Sequence, residues 1–233
     1  MIKNYILTGH GDLVSLSPFC VKTDIYLRMR ELPYKNVYGD PRRAPKGKLP
    51  TIDDEGDQLA DSQLIIEHLE RKYPEPLDAG LDAKTLARHH LLRRTLEEGL
   101  YFCAVYARWV DPTAWPAFRA LILPTLPKGI GRFILPLIRR KIGKDLWAQG
   151  TGRHSASEIY AMACADIDAM ASALGDAPYF GGQEPRTIDA ATFAFIANAL
   201  LVDLPSKLAD RIREHENLVG YCDRVHERFY SRG

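Results

Sequence analysis

The strand signals of this chain stop at "PEPLDAGLD", residues 74–82, and everything beyond residue 82 reads as helix. A chain that confines its two-residue alternation to the first third must build one small α/β layer and then a helical one. Within that third, Asn4 to Thr8 ("NYILT") reads as a strand, Pro18 to Glu31 as an amphipathic helix and Tyr34 to Tyr38 ("YKNVY") as a second strand. That is a βαβ unit, which pairs its strands in parallel. Leu49 to Asp53 and Gln58 to Ala60 flank Asp54-Glu55-Gly56-Asp57, a hairpin turn signal. Ser62 is expected to cap a helix running to about Lys72, which Tyr73-Pro74 ends. The expected domains are residues 1–75 and residues 83–233.

In the second part, Ala83 to Val110 is one long periodic segment, and Ser155-Ala156-Ser157-Glu158 is a capping box opening a helix to about Leu174. Asp189 to Leu201 and Asn217 to Tyr230 are the remaining periodic segments. Lys128 to Lys144, "KGIGRFILPLIRRKIGK", stands apart: six basic residues, no acidic ones, and Ile130, Phe133, Ile134, Leu137 and Ile138 between them. It has two readings, a solvent-facing helix kinked at Pro136 and a membrane-surface helix.

Charge and cysteine usage narrow the function. With 31 basic against 30 acidic side chains there is no overall field for nucleic acid, and the aromatic residues are not interleaved with Lys and Arg. The longest stretch free of charge, Ala190 to Val202, is thirteen residues, short of the roughly 20 that span a bilayer. The N-terminus lacks the apolar core of a secretory signal, so cytoplasmic residence is expected. Cys20, Cys103, Cys164 and Cys222 are too widely spaced for a zinc knuckle or a small disulfide scaffold, and no metal is expected. "GIGRFI" and "GTGRHS" lack the third glycine of a dinucleotide loop. Lys46-Gly47-Lys48 lacks the glycine at position 42 and the hydroxyl at position 49 of a phosphate loop.

One short stretch carries more. Ser17-Pro18-Phe19-Cys20 opens the first helix at the end of the first strand, where open α/β sheets place ligands. Ser17 is a good N-cap and Pro18 a good first helical residue, so the stretch has a purely structural reading as well.

"LSPFCVKTDIYLRMRELPY", "APKGKLPTIDD", "DSQLIIEHL" and "GTGRHSASEIY", in that order, resemble a cytosolic glutathione transferase, and more narrowly the branch with failed-axon-connections and metaxin-like proteins. The likeness covers nearly the whole chain. It implies an α/β thioredoxin-like N-terminal domain followed by an all-α C-terminal domain. It also implies a two-fold homodimer and glutathione as cosubstrate. That branch holds transferase-like members and members used as binding or import components.

Carried over by residue, the resemblance makes Ser17 the hydroxyl that faces the glutathione sulfur, with Ser15 as the alternative because the loop from Thr8 to Ser17 is long. Leu49-Pro50 would be a cis peptide before the third strand, with the backbone of Thr51 offered to the cysteinyl part. Asp61 and Ser62 would hold the γ-glutamyl end and Lys48 the glycyl carboxylate. The implied reaction is attack of the activated thiolate on a small, apolar electrophile. Tyr101, Tyr106 and Trp109 are candidates to line its pocket, against the alternative that they are core. Two rivals stay open: a monothiol redox enzyme using Cys20, and a non-catalytic binding or membrane-associated module. One departure from the family concerns Asp189, preceded three residues earlier by Arg186 rather than Ser or Thr, which leaves the reciprocal cap of that helix in question.

Overall fold

The computed structural model describes residues 1–126 and 129–231. Lys128, the first cation of the basic stretch, lies outside the described residues.

Four strands, β1 (Ile2–Ile6), β2 (Tyr34–Tyr38), β3 (Thr51–Asp54) and β4 (Asp57–Ala60), form one sheet in the order β2-β1-β3-β4. β1 and β2 are parallel, and the other two pairings are antiparallel. The first strand starts two residues earlier than its sequence suggests, because the Ile2 N–H reaches the Pro33 carbonyl while Thr8 is already loop and accepts from Leu16. Glu55 and Gly56 turn the β3–β4 hairpin with φ of 61° and 101°, the left-handed pair that a two-residue hairpin requires.

α1 (Pro18–Met29) joins β1 to β2, and α2 (Ser62–Lys72) follows β4. The rest is helical: α3 (Ala83–Arg94), a π-helical segment (Thr95–Leu100), α4 (Tyr101–Trp109), α5 (Trp115–Ile122), α6 (Gly131–Gln149), α7 (Ala156–Leu174), α8 (Thr187–Leu200), α9 (Lys207–Arg213) and α10 (Glu216–Tyr230). The long segment from Ala83 is therefore helical throughout but changes its winding at Thr95. The Ser155–Glu158 capping box is present in both directions, with Ser155 N–H donating to Glu158 Oε2 at 2.8 Å and Glu158 N–H to Ser155 Oγ at 3.4 Å.

Two compact units result, and neither is contiguous in the chain. The first is Met1–Arg93 with Leu174–Val202 and Asn217–Gly233; the second is Arg94–Ala173 with Asp203–Glu216.

In the first unit, Ile2, Ile6 and Ile52 of the sheet, Val21 and Ile25 of α1, and Ile65, Ile66 and Leu69 of α2 are all buried. α8 is buried along nearly its whole length, and Phe195 on it meets Phe19 edge-on at 5.9 Å. Asp24, fully buried on α1, ties three elements together. It accepts from Tyr34 Oη (2.7 Å) and Asn36 Nδ2 (2.6 Å) of β2, from Arg28 Nε (2.9 Å) and from Tyr230 Oη (2.7 Å) of α10. Four donors are what a buried carboxylate needs to offset its lost hydration.

α8 opens with half of a capping box. The buried Asp189 carboxylate accepts the backbone N–H groups of Arg186 (2.9 Å), Phe180 (2.8 Å) and Gly181 (2.9 Å), and Tyr221 Oη donates to it at 3.1 Å. Arg186 has no acceptor to return; its guanidinium donates instead to the Leu77 and Ala79 carbonyls, while the Thr187 N–H donates to Asp78. Burial pushes Asp189 up to about 6 against the pull of these donors.

In the second unit, Trp109 lies between Phe118 and Trp115, 5.0 and 6.0 Å away, and Arg139 of α6 stacks over Trp115 while donating to the Trp109 and Val110 carbonyls. Asp168 holds Arg211 in a two-pronged pair at 2.6 and 2.7 Å.

Candidate functional site

The sheet register brings the candidate residues of the first unit to one edge. Thr51, the first residue of β3, lies opposite Tyr5 near the end of β1 and opposite Ala60, the last residue of β4. The chain leaving β1 therefore starts α1, the chain entering β3 comes through Pro50, and the chain leaving β4 starts α2, all at the same edge. Two helix N-termini, with their partial positive charge and outward N–H groups, converge there.

The eleven-residue connection before α1, residues 7–17, folds on itself. His10 and Leu13 exchange backbone bonds at 3.0 and 3.1 Å around Gly11-Asp12, and a Cβ on Gly9 would lie 2.1 Å from the Leu13 carbonyl, so only glycine fits. This small hairpin absorbs the loop's length and sets two serines in different roles. Ser15 is buried; its Oγ accepts the Ser17 N–H at 3.3 Å and its carbonyl accepts from Asn198 of α8. Ser17 is half-buried and occupies the N-cap position of α1, yet its hydroxyl makes no capping bond. The cap expected of that hydroxyl is supplied differently: Pro18 has no N–H to satisfy, and the Ser17 carbonyl accepts from Cys20 and Val21. Cys20 is fully buried, and burial pushes its thiol up, although the Leu7 backbone and the Ser17 and Ser15 hydroxyls pull the other way. A thiol so placed holds its proton at neutral pH and has no path to a soluble disulfide.

The Leu49-Pro50 peptide is cis. Pro50 is buried, Leu49 half-buried and Lys48 exposed on the loop before them. Thr51 is buried, and its Oγ1 has no hydrogen-bond partner. Sharing a sheet face with Tyr5, that side chain lies opposite the face on which Asn4 meets Thr23 of α1.

At α2 the roles of two residues are exchanged relative to the sequence reading. Asp61, not Ser62, is the N-cap: its Oδ1 accepts the N–H groups of Gln63 (3.0 Å) and Leu64 (3.2 Å). Asp61 sits at φ 91°, a conformation in which a non-glycine residue is strained. Ser62 becomes the first, buried residue of the helix. Beside it, Lys22 of α1 is fully buried and donates to Gln63 Oε1 at 2.9 Å. Sequence reading gave no sign of this lysine at the site; a cation in the buried half of "CVKTDIYL" was the available signal.

Two domain models of one family match the chain. That of the glutathione S-transferase N-terminal domain covers residues 18–114 and that of the glutathione S-transferase C-terminal domain covers residues 163–225. The chain belongs to the glutathione S-transferase superfamily.

Its relatives include Failed axon connections of Drosophila melanogaster, 32% identical over 231 residues, 94% of this chain and 55% of that one. This chain thus spans about half the length of that relative. The isoprene-epoxide--glutathione S-transferase of Rhodococcus sp. (strain AD45) is 29% identical over 243 residues, 98% and 99% of the two chains. Metaxin-2 of Mus musculus is 22% identical over 229 residues, 97% and 87% of the two. Among solved structures, a glutathione S-transferase of Ceriporiopsis subvermispora in complex with glutathione superposes with a TM-score of 0.67 at 19% identity, covering 99% of this chain and 96% of that one. That likeness establishes the glutathione S-transferase fold.

The three aromatic residues suggested for a second-substrate pocket of this glutathione S-transferase superfamily member lie in the second unit, on α4. Trp109 is engaged with Trp115 and Phe118, and Tyr106 stands edge-on to Tyr160, whose hydroxyl donates to Asp111. Tyr101 meets Phe102. Five residues apart, Tyr101 and Tyr106 do not share a helix face. Among the described residues no His, Cys, Asp or Glu cluster is arranged to hold a metal.

Proposed function

We propose that this chain binds glutathione at the sheet edge and conjugates its thiolate to a small, apolar electrophile. The observation that carries the reading is the half-buried Ser17 hydroxyl at the N-terminus of α1, unused as a cap, on the edge that also holds cis-Pro50 and the α2 N-terminus. Asp61 with Ser62 would receive the γ-glutamyl group, the Thr51 backbone the cysteinyl group, and Lys48 the glycyl carboxylate. The orphaned Thr51 hydroxyl and the strained Asp61 fit an edge shaped for a ligand. A hydroxyl donated to a thiolate contributes about 1.5–3 kcal/mol and the helix dipole about 0.3–1. Together these lower a thiol near 8.5 by about one to three units, and beyond about 1.5 units thiolate is the main form at neutral pH. The thiolate then attacks the electrophilic carbon and the leaving group departs with the bonding pair. A cytoplasmic detoxification enzyme acting as a homodimer completes the reading; sedimentation velocity at micromolar concentration tests the dimer.

Calorimetry with glutathione tests the binding step. Heat at millimolar ligand is expected. No heat would return the chain to the second reading, a binding module without the site, which the metaxin relatives support. The monothiol reading has less support, since Cys20 is buried and its thiol is raised.

A further inference from the structure

α6 carries two stripes of opposite purpose. Gly131, Leu135 and Leu146 are buried, with Ile138, Arg139 and Ile142 half-buried between them, one continuous face turned to the protein. On another face, Phe133, Ile134 and Leu137 are 63%, 36% and 66% exposed, and Ile130 at the N-cap, 54% exposed, extends them to the i, i+3, i+4, i+7 spacing of an apolar stripe. Two turns further on the same spacing brings Lys141 and Lys144, both exposed, and exposed Arg132 and Arg140 flank the apolar residues. Arg132 stacks over the Phe133 ring at 4.7 Å. The first acidic residue on the helix is Asp145, paired with Lys141 at 2.6 Å.

Four large apolar side chains held out on one helix face are more than scattered surface residues require. The charge around them selects what covers them. A second copy of the same face would bring cations against cations across a two-fold axis, which disfavours self-association. An anionic surface with an apolar layer beneath it satisfies both features at once: side chains enter the acyl boundary while Lys and Arg remain at the headgroups. We infer that α6 docks the protein onto anionic lipid bilayers through Ile130, Phe133, Ile134 and Leu137, with Arg132, Arg140, Lys141 and Lys144 contacting headgroups. This surface belongs to the second unit and the sheet edge to the first, and the inference does not depend on glutathione binding.

The test is co-sedimentation of the full chain with phosphatidylcholine vesicles with and without about a third of phosphatidylserine. Binding is expected only to the anionic vesicles and should weaken as salt rises. Arg140→Gln with Lys144→Gln should lower partitioning by about 25-fold, near fivefold for each cation at the surface. Phe133→Ser with Leu137→Ser should lower it by at least about tenfold. All four side chains are exposed, so melting temperatures should hold and a folding defect is separable. A Leu137→Trp variant gives a direct readout, its emission shifting to the blue on anionic vesicles. Equal binding to neutral and anionic vesicles, no vesicle binding, or indifference to both double variants would overturn the inference. So would capture by polyglutamate without vesicle binding, which points to an acidic protein, or a change of oligomeric state alone, which points to a second copy.

Discussion

Ser15 accepts the Ser17 N–H through its Oγ at 3.3 Å, so the buried hydroxyl positions the backbone from which the half-buried one projects. The two serines are therefore separable by mutation. Ser17→Ala should leave glutathione affinity within a few fold, raise the bound thiol's pKa by one unit or more, and reduce activity toward an aryl halide at neutral pH with partial recovery at higher pH. Ser15→Ala should act first on stability, by about 1 kcal/mol for one lost hydrogen bond. Thiolate absorbance titrated on both variants checks this; an active enzyme indifferent to Ser17 would remove it from the mechanism.

Cys20 should behave as a packed side chain. In the native protein its labelling by an aromatic disulfide reagent should lag behind that of Cys164, the half-buried cysteine, and speed up in denaturant. Cys20→Ala should keep conjugation while costing about 1 kcal/mol or more for the space left behind. Loss of glutathione-dependent disulfide exchange in that variant would instead revive the monothiol reading.

Asp61 combines a cap with a strained backbone, and two substitutions pull these apart. Asp61→Ala loses the cap and keeps a side chain at φ 91°, an expected cost of about 1–2 kcal/mol. Asp61→Gly relaxes the backbone and should cost only a few tenths. Glutathione affinity should fall in both. Affinity that survives in the glycine variant would confine Asp61 to holding the helix.

Asp189 gives a pH signature. Its carboxyl, pushed up to about 6 in the fold against about 3.9 unfolded, binds more protons folded than unfolded between those values. Its contribution to stability is therefore present below pH 4, declines as pH rises through 6, and is flat above, about 2–3 kcal/mol in all. Urea unfolding of wild type and Asp189→Asn should show a gap that narrows from pH 4.5 to pH 7. A pH-independent gap would mean the group is ionised throughout.

The βαβ unit, the hairpin turn and the span of α2 were legible because local signals and tertiary packing agree: alternation on β1, left-handed residues at Glu55 and Gly56, proline at position 74. The cap of α2 was misplaced by one residue because the strained φ of Asp61 carries no sequence mark. α5 and α9, eight and seven residues long, were not separated from loops, since short helices take their stability from neighbours rather than from their own propensity. Lys22 escaped notice because a lysine is normally read as solvated, whereas here it is buried and donates to Gln63 across the gap between α1 and α2. The π-helical segment at Thr95–Leu100 has no compositional signal at all.

The Asp24–Tyr230 bond spans 206 positions. On a ribosome the strands and α1 emerge first, yet the carboxylate at the centre of that layer lacks one of its four donors until α10 has been translated. α8, whose Asn198 holds the loop behind Ser17, is likewise late. The edge that would hold the tripeptide is thus among the last parts of the nascent chain to be completed, and a truncated transcript encoding only the sheet would yield a product without a finished binding edge.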